Sequence, residues 1–136
     1  MKQAKDIVKA FYESDIANDP NILEEFFHPQ VKAIWNGVEG LTTLDFNDLS
    51  DFFTDIRKNY KDLKIEISHL LQDGNSVSIR YKYYVRPIEN PDEEIGIAHF
   101  LCIWEIKDEK LHRGYQVSQP FKDKDEEDTS YDEVNL

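Results

Sequence analysis

The chain has 136 residues, enough for one domain with a single core, and it carries 28 acidic against 16 basic residues. A formal net charge of −12 disfavours nucleic acids and anionic membrane surfaces as partners, because both are bound through clustered lysines and arginines. The lone cysteine, Cys102, excludes an internal disulfide and suits a reducing compartment. No apolar run approaches membrane-spanning length, so a cytoplasmic protein is predicted.

The first half of the chain predicts three helices, with one short strand between the second and the third. Apolar residues at three- and four-residue steps predict the helices, and strict alternation predicts the strand. The second helix is predicted to stop at His28, because the residue before a proline is pushed out of the helical region. The predicted elements are a helix over 4–16, a helix over 20–28, a strand over 31–35, a turn over 36–40 and a helix over 47–60.

From Leu63 onward, apolar residues recur at every second position, which predicts four consecutive strands. Residues 73–75 form a hairpin signal, residues 87–94 an acidic loop, and residues 107–110 the turn of the last hairpin. The strand before that last turn is apolar on both faces, so it is predicted to lie in the middle of the sheet with both faces covered. Early helices and late strands predict an α+β fold, with helices on one face of a strongly curved, mostly antiparallel sheet around a cone-shaped hollow.

Residues 122–136 hold seven acids and two lysines. This composition cannot bury enough apolar surface to offset the entropy of ordering, which predicts a disordered acidic tail after one folded domain over 1–121. The tail is interpreted as solubilising, with recruitment of a basic partner as the alternative.

Several short sequences appear in a fixed order along these elements. They are Phe11-Tyr12, Phe27-His28-Pro29, Trp35, Gly40, residues 72–77 and residues 100–111. Together with the element order, the set resembles the nuclear transport factor 2-like superfamily, in particular its SnoaL-like group, over roughly residues 2–120. Residues 88–94 and 114–120 resemble small uncharacterised bacterial members of that group. The resemblance implies a cone-shaped α+β barrel. Glu109 stands where the family usually has glycine, which predicts a longer or differently shaped last turn.

The resemblance also implies two catalytic patterns, and this sequence completes neither. SnoaL-like cyclases use a histidine on the penultimate strand and an aspartate on the last strand, where this chain has Cys102 and Gln116. The steroid isomerase branch uses an acid after the first strand and a tyrosine on the first helix, where this chain has Asn36 and Tyr12. An amide does not titrate and a thiol is a poor base near neutral pH, so neither acid-base pattern is predicted to operate.

The sequence also offers a cysteine and four histidines as candidates for a nucleophile or a metal site, but none has partner residues at a suitable spacing. Cys102 as a nucleophile would need a neighbouring base, so it is interpreted as a core residue. His28 is interpreted as packing at a helix end, His112 as lying beside a turn, and His99 as pointing to the outer sheet face. His69 shares the apolar side of its strand, which places it in the pocket wall or in the core. No pair of histidines has metal-ligand spacing, so no metal and no cofactor are predicted.

The predicted ligand pocket combines aromatic rings with neutral polar groups at the positions where the family binds ligands. The alternative is that these aromatics only fill a core. The predicted pocket residues are Tyr12, Trp35, Tyr81, Tyr83, Phe100, Cys102, Trp104, Gln116 and Ser118.

The predicted function is the binding of a small apolar or aromatic molecule in this pocket. Two alternatives stay open: an isomerase, cyclase or dehydratase acting on a cyclic or aromatic substrate, and a non-enzymatic interaction module whose hollow is filled by side chains. A homodimer is predicted through the outer sheet face, where Ile97, Leu101 and Ile103 would otherwise stay exposed.

Overall fold

A computed structural model describes residues 3–121, which form three helices and a six-stranded sheet. The predicted α+β class is confirmed, whereas the predicted tail over 122–136 lies outside the described residues. The elements are α1 (Ala4–Tyr12), α2 (Ile22–Phe26), β1 (Phe27–Gly37), β2 (Gly40–Leu44), α3 (Phe46–Asn59), β3 (Tyr60–Asp73), β4 (Ser76–Pro87), β5 (Ile95–Lys107) and β6 (Lys110–Pro120).

The sheet has the strand order β2-β1-β6-β5-β4-β3. Only the β1–β6 pair is parallel, so the sheet is mostly antiparallel as predicted. Register shifts interrupt four of the five strand pairs, and such bulges bend strands and increase their twist. The sheet therefore curls, but it does not close, because β2 and β3 remain its two edges.

The helices pack against the concave face of the sheet. The ring centroids of Tyr12 on α1 and Tyr81 on β4 lie 4.7 Å apart, which places α1 over the inward side of β4. A capping box begins α3: Asp45 accepts a hydrogen bond from the Asp48 backbone N–H at 2.9 Å, and Asp48 accepts one from the Asp45 N–H at 3.0 Å. None of the helices in residues 3–121 is long and apolar enough to cross a bilayer.

Three boundaries differ from those predicted. Residues 36–40 do not form one turn, because the chain reverses at Val38 and Glu39 and continues as β2. Most of β2 is exposed, so it lacks the half-buried alternation that reveals a strand. Helix α1 ends at Tyr12, although Ile16 beyond it is buried. His28 belongs to β1 rather than to a helix end.

The last hairpin turn is short, which excludes the longer turn but not the differently shaped turn that was predicted as its alternative. Asp108 and Glu109 connect β5 to β6, with φ angles of 54° and 62°. Two central residues with positive φ are the signature of a two-residue type I′ turn, which matches the twist of the flanking strands. Glu109 therefore adopts the left-handed conformation that usually favours glycine.

The outward face of β5 is only partly as predicted. Leu101 and Ile103 do point outward, where they remain 49% and 44% exposed within one chain. They pair with Val117 and Tyr115 of β6, and we call these four residues the outer apolar patch. Ile97 is also exposed, at 36%, but a bulge opposite Tyr83 and Tyr84 breaks the alternation, so that Ile97 lines the cavity instead of extending this patch.

Candidate functional site

A cavity of about 530 Å³ lies between the helices and the concave face of the sheet. This volume falls within the range of about 300–1,000 Å³ that is typical of small-molecule sites. Its wall includes all nine residues of the predicted pocket. They are Tyr12 on α1, Trp35 on β1, Tyr81 and Tyr83 on β4, Phe100, Cys102 and Trp104 on β5, and Gln116 and Ser118 on β6.

Strand alternation brings these residues to one face of the sheet. In the register of β4, β5 and β6, Tyr81 pairs with Phe100, and Cys102 pairs with Gln116. The rings of Tyr81 and Phe100 stack with 5.0 Å between their centroids and 8° between their planes. The cavity wall therefore holds a flat aromatic surface with an amide on the neighbouring strand.

Both indole groups of the cavity wall donate hydrogen bonds. Trp104 Nε1 donates to the Tyr12 hydroxyl at 2.9 Å, and Trp35 Nε1 donates to Ser118 Oγ at 2.8 Å. The Tyr81 hydroxyl donates to Gln116 Oε1 at 3.2 Å. These bonds satisfy polar groups that would otherwise be costly to bury, and they fix the side chains around the open space.

The ionisable groups buried in the wall stay neutral near neutral pH. Burial, followed by the nearby Cys102 thiol, raises the pKa of Tyr12 well above its ordinary value. Burial is also the main reason that the pKa values of Tyr81 and Tyr83 are raised. Burial raises the pKa of Cys102 to about 12, so its thiol is protonated and unsuited to nucleophilic attack.

Two groups of lining residues were not predicted as site residues. The helices contribute apolar side chains, including Phe11 of α1 and Phe53 of α3. Cavity-lining and core residues have the same helical spacing, so the sequence did not identify these two as site residues. The β1–β2 hairpin contributes Val38, Glu39 and Thr42, which were missed because β2 was not recognised. Among the lining residues within 3–121, Glu39 is the only one with a carboxylate, and it lies in the exposed hairpin turn.

Two other residues considered for the site lie elsewhere. Asn36 follows the inward-facing Trp35 in β1, so it points to the other face and does not line the cavity. His69 is exposed, because a bulge between Ile67 and His69 reverses the alternation of β3. Its Nδ1 forms a hydrogen bond with Ser68 Oγ at 2.9 Å.

The remaining histidines are also outside the cavity. His99 contacts the ring of Phe121 on the outward face, with centroids 4.7 Å apart. His28 and His112 contact each other at the same centroid distance, and His28 Nε2 lies 3.3 Å from Asp108 Oδ2. Within residues 3–121, no three histidine, cysteine or acidic side chains are grouped so that they could hold a metal ion.

Several solved structures share this fold. IdmH of Streptomyces antibioticus, named a "putative polyketide cyclase", is 18% identical, with 86% of this chain and 92% of that chain covered and a TM-score of 0.65. A "putative polyketide cyclase" of Acidithiobacillus ferrooxidans is 15% identical, with 86% and 88% covered and a TM-score of 0.68. An LEH-like epoxide hydrolase of M. tuberculosis is 11% identical, with 85% and 81% covered and a TM-score of 0.65. At these identities the likeness establishes the fold alone.

A sequence search finds no match among curated proteins. The family of SnoaL-like domains, in contrast, matches residues 8–113, from the middle of α1 into β6. This match spans most of the chain, and it ends just before the cavity-lining residues of β6, Gly114, Gln116, Ser118 and Pro120. The chain therefore belongs to the SnoaL-like domain family.

Proposed function

We propose that this protein binds a small, neutral, apolar or aromatic molecule in its cavity. The observation that carries the proposal is an open space of about 530 Å³ whose wall combines aromatic rings with neutral polar groups. Sites for small molecules typically have this composition, in which apolar walls supply affinity and a few polar groups fix orientation. The open volume also counts against an interaction module whose hollow is filled by side chains.

Two polar groups are suited to orient a bound molecule. Ser118 Oγ accepts the hydrogen bond of Trp35, which leaves its O–H available as a donor. Gln116 accepts from Tyr81 through Oε1, and within residues 3–121 its Nε2 has no hydrogen-bond partner. Both groups therefore offer a donor to a carbonyl or hydroxyl oxygen of a ligand.

A neutral ligand is favoured over an anion by the charges of the wall. Within the described part of the chain, the lining residues include no lysine, arginine or histidine, and their one acidic residue is Glu39 at the rim. An anion that enters would lose its hydration without gaining a counter-charge, which is strongly unfavourable. Selectivity for neutral molecules follows directly from this arrangement.

The test is titration with naphthol, a neutral aromatic alcohol, monitored by tryptophan fluorescence. Both tryptophans of the chain line the cavity, so their emission reports on its occupancy. We expect naphthol to bind and its anionic analogue naphthoate to bind at least about tenfold more weakly, because the carboxylate would be buried without a counter-charge. Equal affinities, or no binding of either compound, would contradict the proposal.

A pair of variants separates the cavity from the rest of the surface. Ala98→Phe fills the cavity from β5, and we expect it to abolish naphthol binding. Ile103→Phe places the same aromatic side chain in the outer apolar patch on the same strand and should leave binding unchanged. Native mass spectrometry of protein purified from its own host then identifies the physiological ligand by its mass.

A second candidate is an enzyme, an isomerase, cyclase or dehydratase, and Glu39 is the observation that favours it. Glu39 is the one carboxylate that the described residues contribute to the wall, and a positioned carboxylate can act as a general base. Proteins named polyketide cyclase and epoxide hydrolase share the fold. Catalysis predicts that Glu39→Gln abolishes turnover of a cyclic substrate while it leaves naphthol affinity intact.

A further inference from the structure

The hydrogen bonds of the cavity wall leave unused donors on β6. Trp35 Nε1 donates to Ser118 Oγ at 2.8 Å, and the Tyr81 hydroxyl donates to Gln116 Oε1 at 3.2 Å. Both bonds occupy an oxygen of a β6 side chain, so the O–H of Ser118 and the two N–H groups of Gln116 Nε2 remain. Within residues 3–121, none of these donors has a hydrogen-bond partner. The β6 side of the cavity is therefore rich in donors.

The two oxygens beside these donors already accept one hydrogen bond each. An oxygen with one bond is largely satisfied, whereas a buried N–H or O–H without a bond costs the free energy of its lost hydration. A ligand that offers an acceptor relieves that cost, but a ligand that offers only a donor has to share an oxygen with Trp35 or Tyr81. Glu39 does not change this balance, because it lies in the exposed hairpin turn, where water hydrates its carboxylate.

The donors lie beside the aromatic part of the wall. Gln116 and Ser118 are alternate residues of β6, so both point into the cavity, about 7 Å apart along the strand. In the strand register, Ser118 lies opposite Phe100, whose ring stacks on that of Tyr81. A planar ligand that packs against Phe100 can therefore place its edge within reach of the donors of β6.

We propose that the cavity selects neutral molecules whose polar group is a carbonyl oxygen, such as aryl ketones, and that Gln116 and Ser118 bind this oxygen. The inference rests on the proposed function, because it requires that the cavity binds a small neutral molecule, and it adds which polar group that molecule carries. Ligands whose polar group only donates, such as an aromatic N–H, are disfavoured, since they leave the donors of β6 unpaired.

Calorimetric titration with three bicyclic compounds of similar size tests this selectivity. Indanone accepts through its carbonyl oxygen, indole donates through its N–H, and indane does neither. We expect indanone to bind at least about fivefold more tightly than indole, which corresponds to one hydrogen bond gained in the complex. Calorimetry avoids the overlap between the fluorescence of indole and that of the two tryptophans.

A pair of identical substitutions on β6 tests the role of Gln116. Gln116→Glu keeps an oxygen for the Tyr81 hydroxyl but removes both N–H donors. At about pH 8 the new side chain is ionised, and the bond from Tyr81 favours that form. The ratio of indanone affinity to indane affinity should fall at least about fivefold. Gln119→Glu adds the same charge at an exposed position of the same strand that does not line the cavity, and it should leave the ratio unchanged.

Failure of this inference can be distinguished from failure of the proposed function. If indane binds but indole binds as tightly as indanone, the cavity does not discriminate between polar groups, and the inference alone is overturned. An unchanged affinity ratio in Gln116→Glu overturns it in the same way. If none of the three compounds binds, the proposed function fails and the inference fails with it.

Discussion

Two residues in the β5–β6 turn hold a conformation that their side chains disfavour. Asp108 and Glu109 both have positive φ, and for residues other than glycine this region costs roughly 1–2 kcal/mol. Aspartate tolerates the conformation better than glutamate does, because its short side chain can hydrogen bond locally. The backbone of Glu109 is therefore a local source of strain.

Glu109→Gly should stabilise the protein. Relief of the strain outweighs the extra entropy that glycine gives to the unfolded chain, so the free energy of unfolding should rise by about 1 kcal/mol. Urea denaturation measures the change. Gly74→Ala is the matched control, since Gly74 has a φ of 60° and open space around it, and this variant should lose stability by a similar amount. A Glu109→Gly protein no more stable than the parent would refute the strain argument.

His112 makes stability depend on pH. Burial first, then the positive charge of Arg113 and the contact with His28, lowers the pKa of His112. The unfolded state, in which histidine titrates near pH 6.5, therefore binds a proton before the folded state does. Stability should be lost as the pH falls from about 6.5 through the folded pKa. Chemical denaturation from pH 7.5 to about pH 5 should show this loss, and His112→Asn should flatten it.

At the scale of elements, strand alternation predicted the cavity wall but bulges limited how far it applied. Tyr81 and Phe100 were placed on the same face because the alternation holds between them. It fails at His69 and Ile97, where one extra residue reverses the direction of the side chains that follow. A bulge leaves no clear mark in composition, so both residues were assigned to the wrong face.

The size of the cavity could not be predicted from any single element. It depends on how far α1 and α3 stand from the sheet, and hence on packing between residues distant in sequence. The helix residues Phe11 and Phe53 have the same apolar spacing whether they touch a ligand or another core side chain. The residue types of the wall were therefore predictable, whereas its volume and rim were not.

The β5–β6 pair fits together because Gly114 leaves room for Trp104. A Cβ at position 114 would lie 2.6 Å from Cζ3 of the Trp104 ring, so Gly114→Ala should destabilise the protein by about 1–3 kcal/mol through overpacking. Combining it with Trp104→Phe removes the clashing atoms, and the double variant should lose less than the sum of the single losses. Additive losses in thermal denaturation would contradict this account.

At the scale of the whole molecule, the outer apolar patch remains exposed within one chain. Leu101, Ile103, Tyr115 and Val117 are each 44–49% exposed and adjacent on β5 and β6. Contiguous apolar surface of this kind is characteristic of protein interfaces. We propose that two copies pair through this patch around a two-fold axis, where each patch covers the other.

Leu101→Lys should convert the dimer to a monomer, because two lysines would meet in an apolar contact. Sedimentation velocity at micromolar concentration measures the change in mass. Leu71→Lys is the control, since Leu71 is exposed near the β3–β4 turn and away from the patch, and it should leave the dimer intact. A parent protein that sediments only as a monomer would rule the dimer out.

The parallel pairing of β1 with β6 governs the order in which the chain can assemble. β1 is the first of the six strands of this sheet in sequence, yet one of its two neighbours, β6, is the last of the six. The helices and β1 therefore have no complete surface to pack on until all six strands of the sheet have been synthesised. Contacts between such distant parts of a chain slow folding, and a nascent N-terminal half with its apolar side uncovered is prone to aggregate. This protein should consequently depend on chaperones more during translation than during refolding of the finished chain.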